Sequence, residues 1–399
     1  MTILAYDKMN LTLRKLLPLM CFGSALLVFV YQTHVKRNTV SNLDKILVDS
    51  TFKGKYGHHY KTAKSSARST RTIVKNYPSV ISNVKNKSMT GTGSNKYIIF
   101  QCDGQHACGG WGDRQKGIVS AFLLANVTNR MFLINMTSPC NLNRFLVPNK
   151  YRWDMANFKL SGKTSKTIGG VRRRDYQKKI RFEDFNLLFP EDVIFLRSNA
   201  DLVNIIRSNK LYKDKLPPWV VGKRYVAFRI GWNILFKPST SLKTQIRKLL
   251  VGVTSSSNNS LVCAHIRIGK NPDMPNDSPN RNGISSVPKL WEFLQPYVDD
   301  AKNIFVATDS TSVRDMARMR FGKKSLDTGG KILHIDRQRK RVDSCEGFEC
   351  AILDQTILTK CHLLVVSGSN FSIRAAFIRG SNRNLFIFKN GKVSPFVLP

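Results

Sequence analysis

The chain has 399 residues, long enough for two domains, and its 42% hydrophobic residues exclude a wholly disordered or fibrous protein. Its 64 Lys and Arg against 26 Asp and Glu give a formal net charge of +38, which implies an acidic partner: nucleic acid, a membrane surface or a phosphate-bearing ligand. The basic residues are spread along the chain, with no zinc-finger spacing and no aromatic-glycine RNA-binding signature, so nucleic acid is not the expected partner.

In chain order, Leu16 to Thr33 is an uncharged, mostly apolar run flanked by Arg14-Lys15 and Lys36-Arg37. Its length is at the lower limit for a membrane-spanning helix and suits a thin, early-secretory bilayer. No small-x-small cleavage site follows it, so a signal anchor is expected rather than a cleaved signal peptide. Residues 1–15 would then be a cytoplasmic tail, with nearly all of the remaining chain lumenal. Residues 34–95 are poor in apolar clusters and rich in Lys, Ser, Thr and Asn. Such a composition cannot offset chain entropy and reads as a basic, flexible stem.

The cysteines suit an oxidising compartment. Cys21 lies in the apolar run, leaving Cys102, Cys108, Cys140, Cys263, Cys345, Cys350 and Cys361. Cys102/Cys108 and Cys345/Cys350 are close enough to close small disulfide loops. An odd number leaves a free thiol, and Cys263, inside an apolar strand, is the expected one. No Cys-x-x-Cys spacing occurs, so structural zinc is not expected. Sequons at Asn86, Asn126, Asn135, Asn258, Asn276 and Asn370 add weak support for the lumen.

Order is expected from Tyr97-Ile98-Ile99-Phe100, a compact β run. A glycine-rich turn follows, with Gly109, Gly110, Gly112, Asp113 and Arg114, then a helix over 115–128 and a strand over 131–136. Strand, glycine-rich turn, helix and strand make a βαβ unit, whose glycines let backbone approach a ligand and aim a helix N-terminus at it. The spacing is neither a dinucleotide fingerprint nor a P-loop. Between Pro139 and Thr254 only a helix over 239–251 can be placed, and Arg172-Arg173-Arg174 is most simply expected as a solvated loop.

Leu261 to Gly269 reads as a buried strand with His265 and Arg267 on one face near its C-terminal end. Ligands bind at that end in open α/β sheets, and an arginine offers a planar fork for phosphate oxygens. The plainer alternative is a strand whose arginine reaches solvent. Helices are then expected over 288–301, 311–321, 347–359 and from Ile373. Strands are expected over 303–307, 331–335, 362–366 and 384–388. Strands alternating with helices mean a parallel sheet covered on both faces. Three strands thus end in polar clusters: His265/Arg267, Thr308/Asp309 and Ser367 to Ser372. Each could also be an ordinary helix cap.

His265-Ile-Arg267-Ile-Gly269 resembles the H-x-R-x-G motif of the fucosyltransferase superfamily. Val306-Ala-Thr-Asp309-Ser310 is similar to its second motif, and Ser367-Gly-Ser369-Asn370-Phe371-Ser372 to its third. Gly109-Gly110-Trp111-Gly112-Asp113-Arg114 resembles the start seen in α1,2-type and plant xyloglucan fucosyltransferases. The resemblance runs from Tyr97 to the C-terminus, with the middle unmatched. It implies two Rossmann-like domains facing across a cleft (GT-B type), over 96–255 on the acceptor side and 256–399 on the GDP-sugar side. It also implies GDP-fucose as donor, inversion and no required metal. Arg267 would hold the diphosphate, His265 would shape the pocket and Asp309 would bond the base or ribose. Ser369, Asn370, Phe371 and Ser372 would donate to phosphate. No Asp-x-Asp pair occurs, so an arginine would have to stabilise the leaving diphosphate. The acceptor hydroxyl needs a base, for which Asp113 and Asp103 are candidates. A Golgi sulfotransferase and an inactive glycan- or protein-binding relative are the alternatives.

Overall fold

The structure, a computed structural model, describes residues 96–399 apart from 157, 172–173, 221, 252, 254–260, 280, 300–302 and 339–340. Chain order runs β1 (Tyr97–Cys102), α1 (Trp111–Val127), β2 (Met131–Met136), β3 (Leu146–Pro148), β4 (Ser165–Ile168), α2 (Arg174–Phe182) and β5 (Val193–Leu196). Next come α3 (Arg224–Leu235), β6 (Phe236–Pro238), α4 (Thr240–Leu250), β7 (Val262–Ile266), α5 (Val287–Asp299), β8 (Ile304–Thr308) and α6 (Thr311–Phe321). The last elements are β9 (Ser325–Leu326), α7 (Ser344–Leu358), β10 (Leu363–Ser367), α8 (Asn370–Arg379), β11 (Leu385–Lys389) and β12 (Lys392–Pro395).

The strands form two main sheets. The first has the order β2-β1-β5-β4 and is parallel throughout. The second has the order β12-β11-β10-β7-β8-β9 and is parallel except for β12. Every residue of β7, β8 and β10 is buried. Central parallel strands are covered on both faces, so they read as continuous apolar runs. On one face Val262, Ala264 and Ile266 join Ile304 and Val306 beneath α5 and α6. On the other, Cys263, Phe305, Ala307, Leu364 and Val366 belong to a core that also includes α1, α3, α7 and the first sheet. The two halves therefore share one apolar interior.

Several expectations are corrected. Cys263 is not free: it is bonded to Cys361, tying β7 to the chain entering β10. Cys345 pairs with Cys140, at a sequence separation of 205, and not with Cys350. Positions five apart on α7 point to different sides, and Cys350 is the free thiol among the described cysteines. The Cys102–Cys108 pair forms as expected. Residues 331–335 are not a strand. Ser325–Leu326 takes the edge of β8 instead, and the chain beyond Gly329-Gly330 leaves the sheet to run along the cleft. Leu333 packs on Gly347, where a Cβ would lie 2.6 Å from the leucine Cβ. The antiparallel strand β12 was not anticipated. Asn390 and Gly391 both have positive φ (51° and 75°) and close a two-residue hairpin onto β11.

Among the described residues no helix is long and apolar enough to cross a membrane. The run from Leu16 to Thr33 and the 34–95 stem lie outside them.

Candidate functional site

The second sheet reverses direction at one place. From β7 the chain moves outward through β8 and β9, and from β10 it moves the other way through β11 and β12. The carboxyl ends of β7 and β10 therefore flank the topological switch point, where open α/β sheets leave a crevice. Ser367 at the end of β10 stitches them together. Its Oγ donates to His265 O (2.6 Å) and accepts from Arg267 N (3.0 Å).

Arg267 leaves the strand here with its side chain 17% exposed. Its Nη1 donates to Asp309 Oδ2 at 2.6 Å, and its Nη2 pairs with Asp277. Asp309 also accepts from Ile268 N (2.7 Å) and Gly269 N (2.8 Å), so both of its oxygens are engaged within the chain. Burial pushes the Asp309 carboxyl up, while Arg267 and the two amides oppose that rise. The base or ribose contact implied for Asp309 does not follow from this arrangement, in which the carboxylate clamps the turn after β7. That turn needs glycine: Gly269 has φ +87° and a Cβ there would strike Ser278 O.

His265 is buried and lies tilted against the Phe371 ring, centroids 5.0 Å apart. Desolvation first, and the Arg267 charge second, hold its pKa down at about 3. The imidazole is therefore neutral, and its Nδ1 has no hydrogen-bond partner.

The glycine-rich turn meets this site from the first half. Gly109 has φ +81°. The backbone N–H groups of Cys108 and Gly109 both donate to Asp336 Oδ1 (2.8 and 3.0 Å). Arg114 is fully buried and braces the turn by donating to Gly109 O (2.8 Å) and Ser138 O (2.6 Å). Gly110 caps α1. At Gly112 the starts of α1 and α8 touch, since a Cβ there would lie 2.7 Å from Phe371 N. Asp113, in the first turn of α1, accepts from Asn370 Nδ2 (2.9 Å) and pairs with Lys116 Nζ (2.5 Å). Ser369 caps α8 by accepting from Phe371 N (3.3 Å). Ser372 is fully buried and bonds back to Ser367 (N to Oγ, 3.2 Å), so it supports the loop from behind.

These elements enclose a cleft of about 710 Å³ between the two halves. It gathers every expected site residue except Arg114, Ser372 and Asp103, the second candidate base, which lines a smaller neighbouring pocket and pairs with Arg197 Nη2 (2.9 Å). It also holds groups that sequence reasoning did not single out: Asp277, His334, Asp336 and Arg337 on one side, Arg314 and Asp354 on another. Asp277 bridges Arg267 and Arg337 (3.3 Å to the latter), a link between loops with no local sequence signal. Among the described residues no group of three or more His, Cys, Asp or Glu is placed to hold a metal ion.

No protein-family model matches the chain, and no curated protein matches it either. Solved structures do. Arabidopsis thaliana FUT1, solved as a mutant in complex with GDP, superposes with a TM-score of 0.51 at 12% identity, covering 83% of this chain and 80% of that one. This chain has that fold. The fucosyltransferase NodZ from Bradyrhizobium gives 0.47 at 16% identity, over 77% of this chain and all of that one (100%). POFUT1 in complex with GDP gives 0.40 at 15% identity, over 74% and 99%. The two-sheet parallel α/β architecture expected from the sequence is thus present, with the cleft between its halves.

Proposed function

We propose that this chain is a glycosyltransferase that moves fucose from GDP-fucose to a hydroxyl of a glycan or glycoprotein, inverting the sugar carbon without a required metal. One observation carries the reading. An arginine, a neutral histidine and the N-termini of two helices meet at a topological switch point, inside a cleft between two parallel sheets. The fold shared with a protein solved with GDP, and the three ordered motifs, support the same donor.

In this reading Arg267 clamps the diphosphate. Its two carboxylate partners fix the plane of the guanidinium, and its remaining N–H groups donate to phosphate oxygens. As the sugar–phosphate bond breaks, negative charge grows on the departing GDP, and the preorganised cation is worth most at that moment. The positive ends of α1 and α8 add to it. His265 forms an uncharged wall, and Ser369, Asn370 and Phe371 present donors at the start of α8. Asp113 is the candidate base for the acceptor hydroxyl. Residues 96–255 serve the acceptor and 256–399 the donor, held in the Golgi or ER lumen by one N-terminal anchor.

The engagement of Cys108 N and Gly109 N by Asp336 speaks against the sulfotransferase alternative, because the turn after β1 does not offer those amides to a phosphate. To test the reading, the full chain is given GDP-fucose, GDP-mannose, UDP-galactose or 3′-phosphoadenosine 5′-phosphosulfate, and nucleotide release is followed with and without EDTA. GDP release from GDP-fucose alone, unchanged by EDTA, is expected. Turnover of the phosphosulfate, or of none of the four, overturns it.

A further inference from the structure

The pole of the first half opposite the cleft carries a face that the proposed reaction does not use. Phe182 (70% exposed), Leu187 (84%) and Leu211 (52%) stand out from it. Single exposed apolar side chains are ordinary, but three on adjoining turns are not. Hydrogen bonds hold those turns together: Asn209 Nδ2 donates to Ile180 O (2.9 Å) and Glu183 O (3.0 Å), and Phe185 N donates to the Tyr212 hydroxyl (2.7 Å). Ile180, Phe185 and Tyr212 are buried, which leaves their neighbours Phe182, Leu187 and Leu211 outside. Lys178, Lys179 and Arg181 on α2, and Lys210, Lys213 and Lys215 on the 3-10 turn Lys210–Lys215, are all exposed around them. Across 174–188 and 209–216, seven Lys or Arg stand against Asp175, Glu183, Asp184 and Asp214, so the face is basic.

Its position in the fold is fixed from two sides. Asn186 Nδ2 donates to Thr128 O (3.1 Å), just past the last turn of α1, and Arg130 Nη2 donates to Phe189 O (2.6 Å). Helix α1 begins in the cleft, and its 17 residues put its two ends roughly 25 Å apart. Residues 1–95 join the domain at the same pole. Lys96 Nζ donates to Pro190 O (2.7 Å) and Tyr97 N to Asp192 O (2.6 Å), a few residues beyond Leu187.

We propose that this face lies on a bilayer bearing anionic headgroups. Apolar side chains ringed by lysines and arginines suit that boundary: the ring and methyl groups enter it, while the cationic heads stay with phosphates and carboxylates. A soluble acidic polymer would match the charge and leave three apolar side chains uncovered. A second copy of the same face would set lysine against lysine. Docked by this pole, the cleft opens away from the membrane, toward the acceptor. The inference rests on the single N-terminal anchor of the proposed function, which keeps the face within reach of a bilayer.

Hydroxyl-radical footprinting of the full chain tests it, in vesicles of phosphatidylcholine alone or mixed with phosphatidylserine, with flotation to show what is bound. Oxidation of Phe182, Leu187 and Leu211 should fall several-fold in the anionic vesicles, while Met319, 79% exposed on α6 of the other half, should not change. Salt at about 1 M, where charges are screened beyond about 3 Å, should restore oxidation, and so should Lys178→Glu/Lys179→Glu/Arg181→Glu. A chain that floats with both vesicles and shows no protection overturns this inference alone. So does equal protection by the neutral lipid, or protection in lipid-free detergent that grows with protein concentration, which would mean that a second copy covers the face. Flotation with the anionic vesicles only, with protection, overturns the anchor and supports the docking face. Flotation with neither overturns both.

Discussion

Arg267 Nη1 and Asp309 Oδ2 lie 2.6 Å apart, joining the ends of β7 and β8, and Asp277 closes the other side of the same guanidinium. The arginine proposed to stabilise the leaving group is thus also the counter-charge for two buried carboxylates. Replacing it removes both roles at once. Arg267→Ala is expected to lower apo stability by about 2–3 kcal/mol, somewhat less than a fully buried pair because the side chain is 17% exposed. Adding Asp309→Asn should recover part of that stability and none of the activity. Turnover should fall roughly 10² to 10³-fold in both variants. Melting curves with and without GDP, beside donor turnover, separate the roles. An Arg267→Ala protein of wild-type apo stability would show that the carboxylates do not need it.

Gly112 is where α1 meets α8. A methyl group there would press on the backbone of Asn370 and Phe371, which cannot swing aside as a long side chain would. Gly112→Ala should therefore cost about 1–3 kcal/mol and shift the two helix N-termini. Chemical denaturation measures the first effect, and weakened GDP binding the second. Gly110→Ala, with open space around its Cβ, is the control and should behave as wild type.

Two buried groups give opposite pH dependences. Burial pushes the Asp354 carboxyl up to about 7, with Asp327 adding to the rise and Thr328 and Arg314 opposing it. Folded protein then binds the extra proton, so this group's contribution falls as pH rises from about 4 to about 7. His265, held at about 3 against 6.5, stays neutral when folded, so its contribution rises with pH between those values. The two trends oppose each other between about pH 4 and 6.5. Asp354→Asn should steepen the gain in stability across that range, and His265→Gln should turn it into a loss. Urea midpoints at pH 4.5, 5.5 and 6.5 check both signs, and two parallel profiles would refute them.

Cys350 should resist alkylation. Its thiol is half-buried against Gly330, and desolvation, with Asp354 and Glu349 beside it, pushes its pKa up to about 11. Native protein treated with iodoacetamide at pH 8 should show this cysteine unmodified by peptide mass spectrometry, and modified after unfolding. Rapid native labelling would place the thiol elsewhere.

Much of this was legible in the sequence. The strands at 97–102, 262–266, 304–308 and 363–367 are apolar runs ending in polar turns, and the structure gathers those turns at one crevice. Local patterns could not show what holds each group. Nothing near Asp277 or Asp336 marks them as partners of Arg267 and the glycine turn: the first contact folds back across an irregular loop, and the second joins segments far apart in the chain. Arg114 and Ser372 sit in the motifs yet face the interior, since a spacing fixes position along an element and not its rotation against the core. The strand expected over 331–335 failed because a short apolar run does not say whether a sheet edge is still vacant. The hairpin at Asn390-Gly391 did carry a readable signal, the residue pair that tolerates two successive positive φ values.

The shared interior bears on how such a cleft can breathe. Two lobes with separate cores would close on a ligand by rotating about a linker, but here α1, α3, α7 and α8 belong to one packed layer, stapled by Cys140–Cys345 and pinched at Gly112. Rotation would tear apolar contacts and prise one helix start from the other. Adjustment to a donor should therefore fall to the irregular 331–337 segment. Amide exchange should quicken and slow there with ligand, while α1 and α8 remain protected throughout.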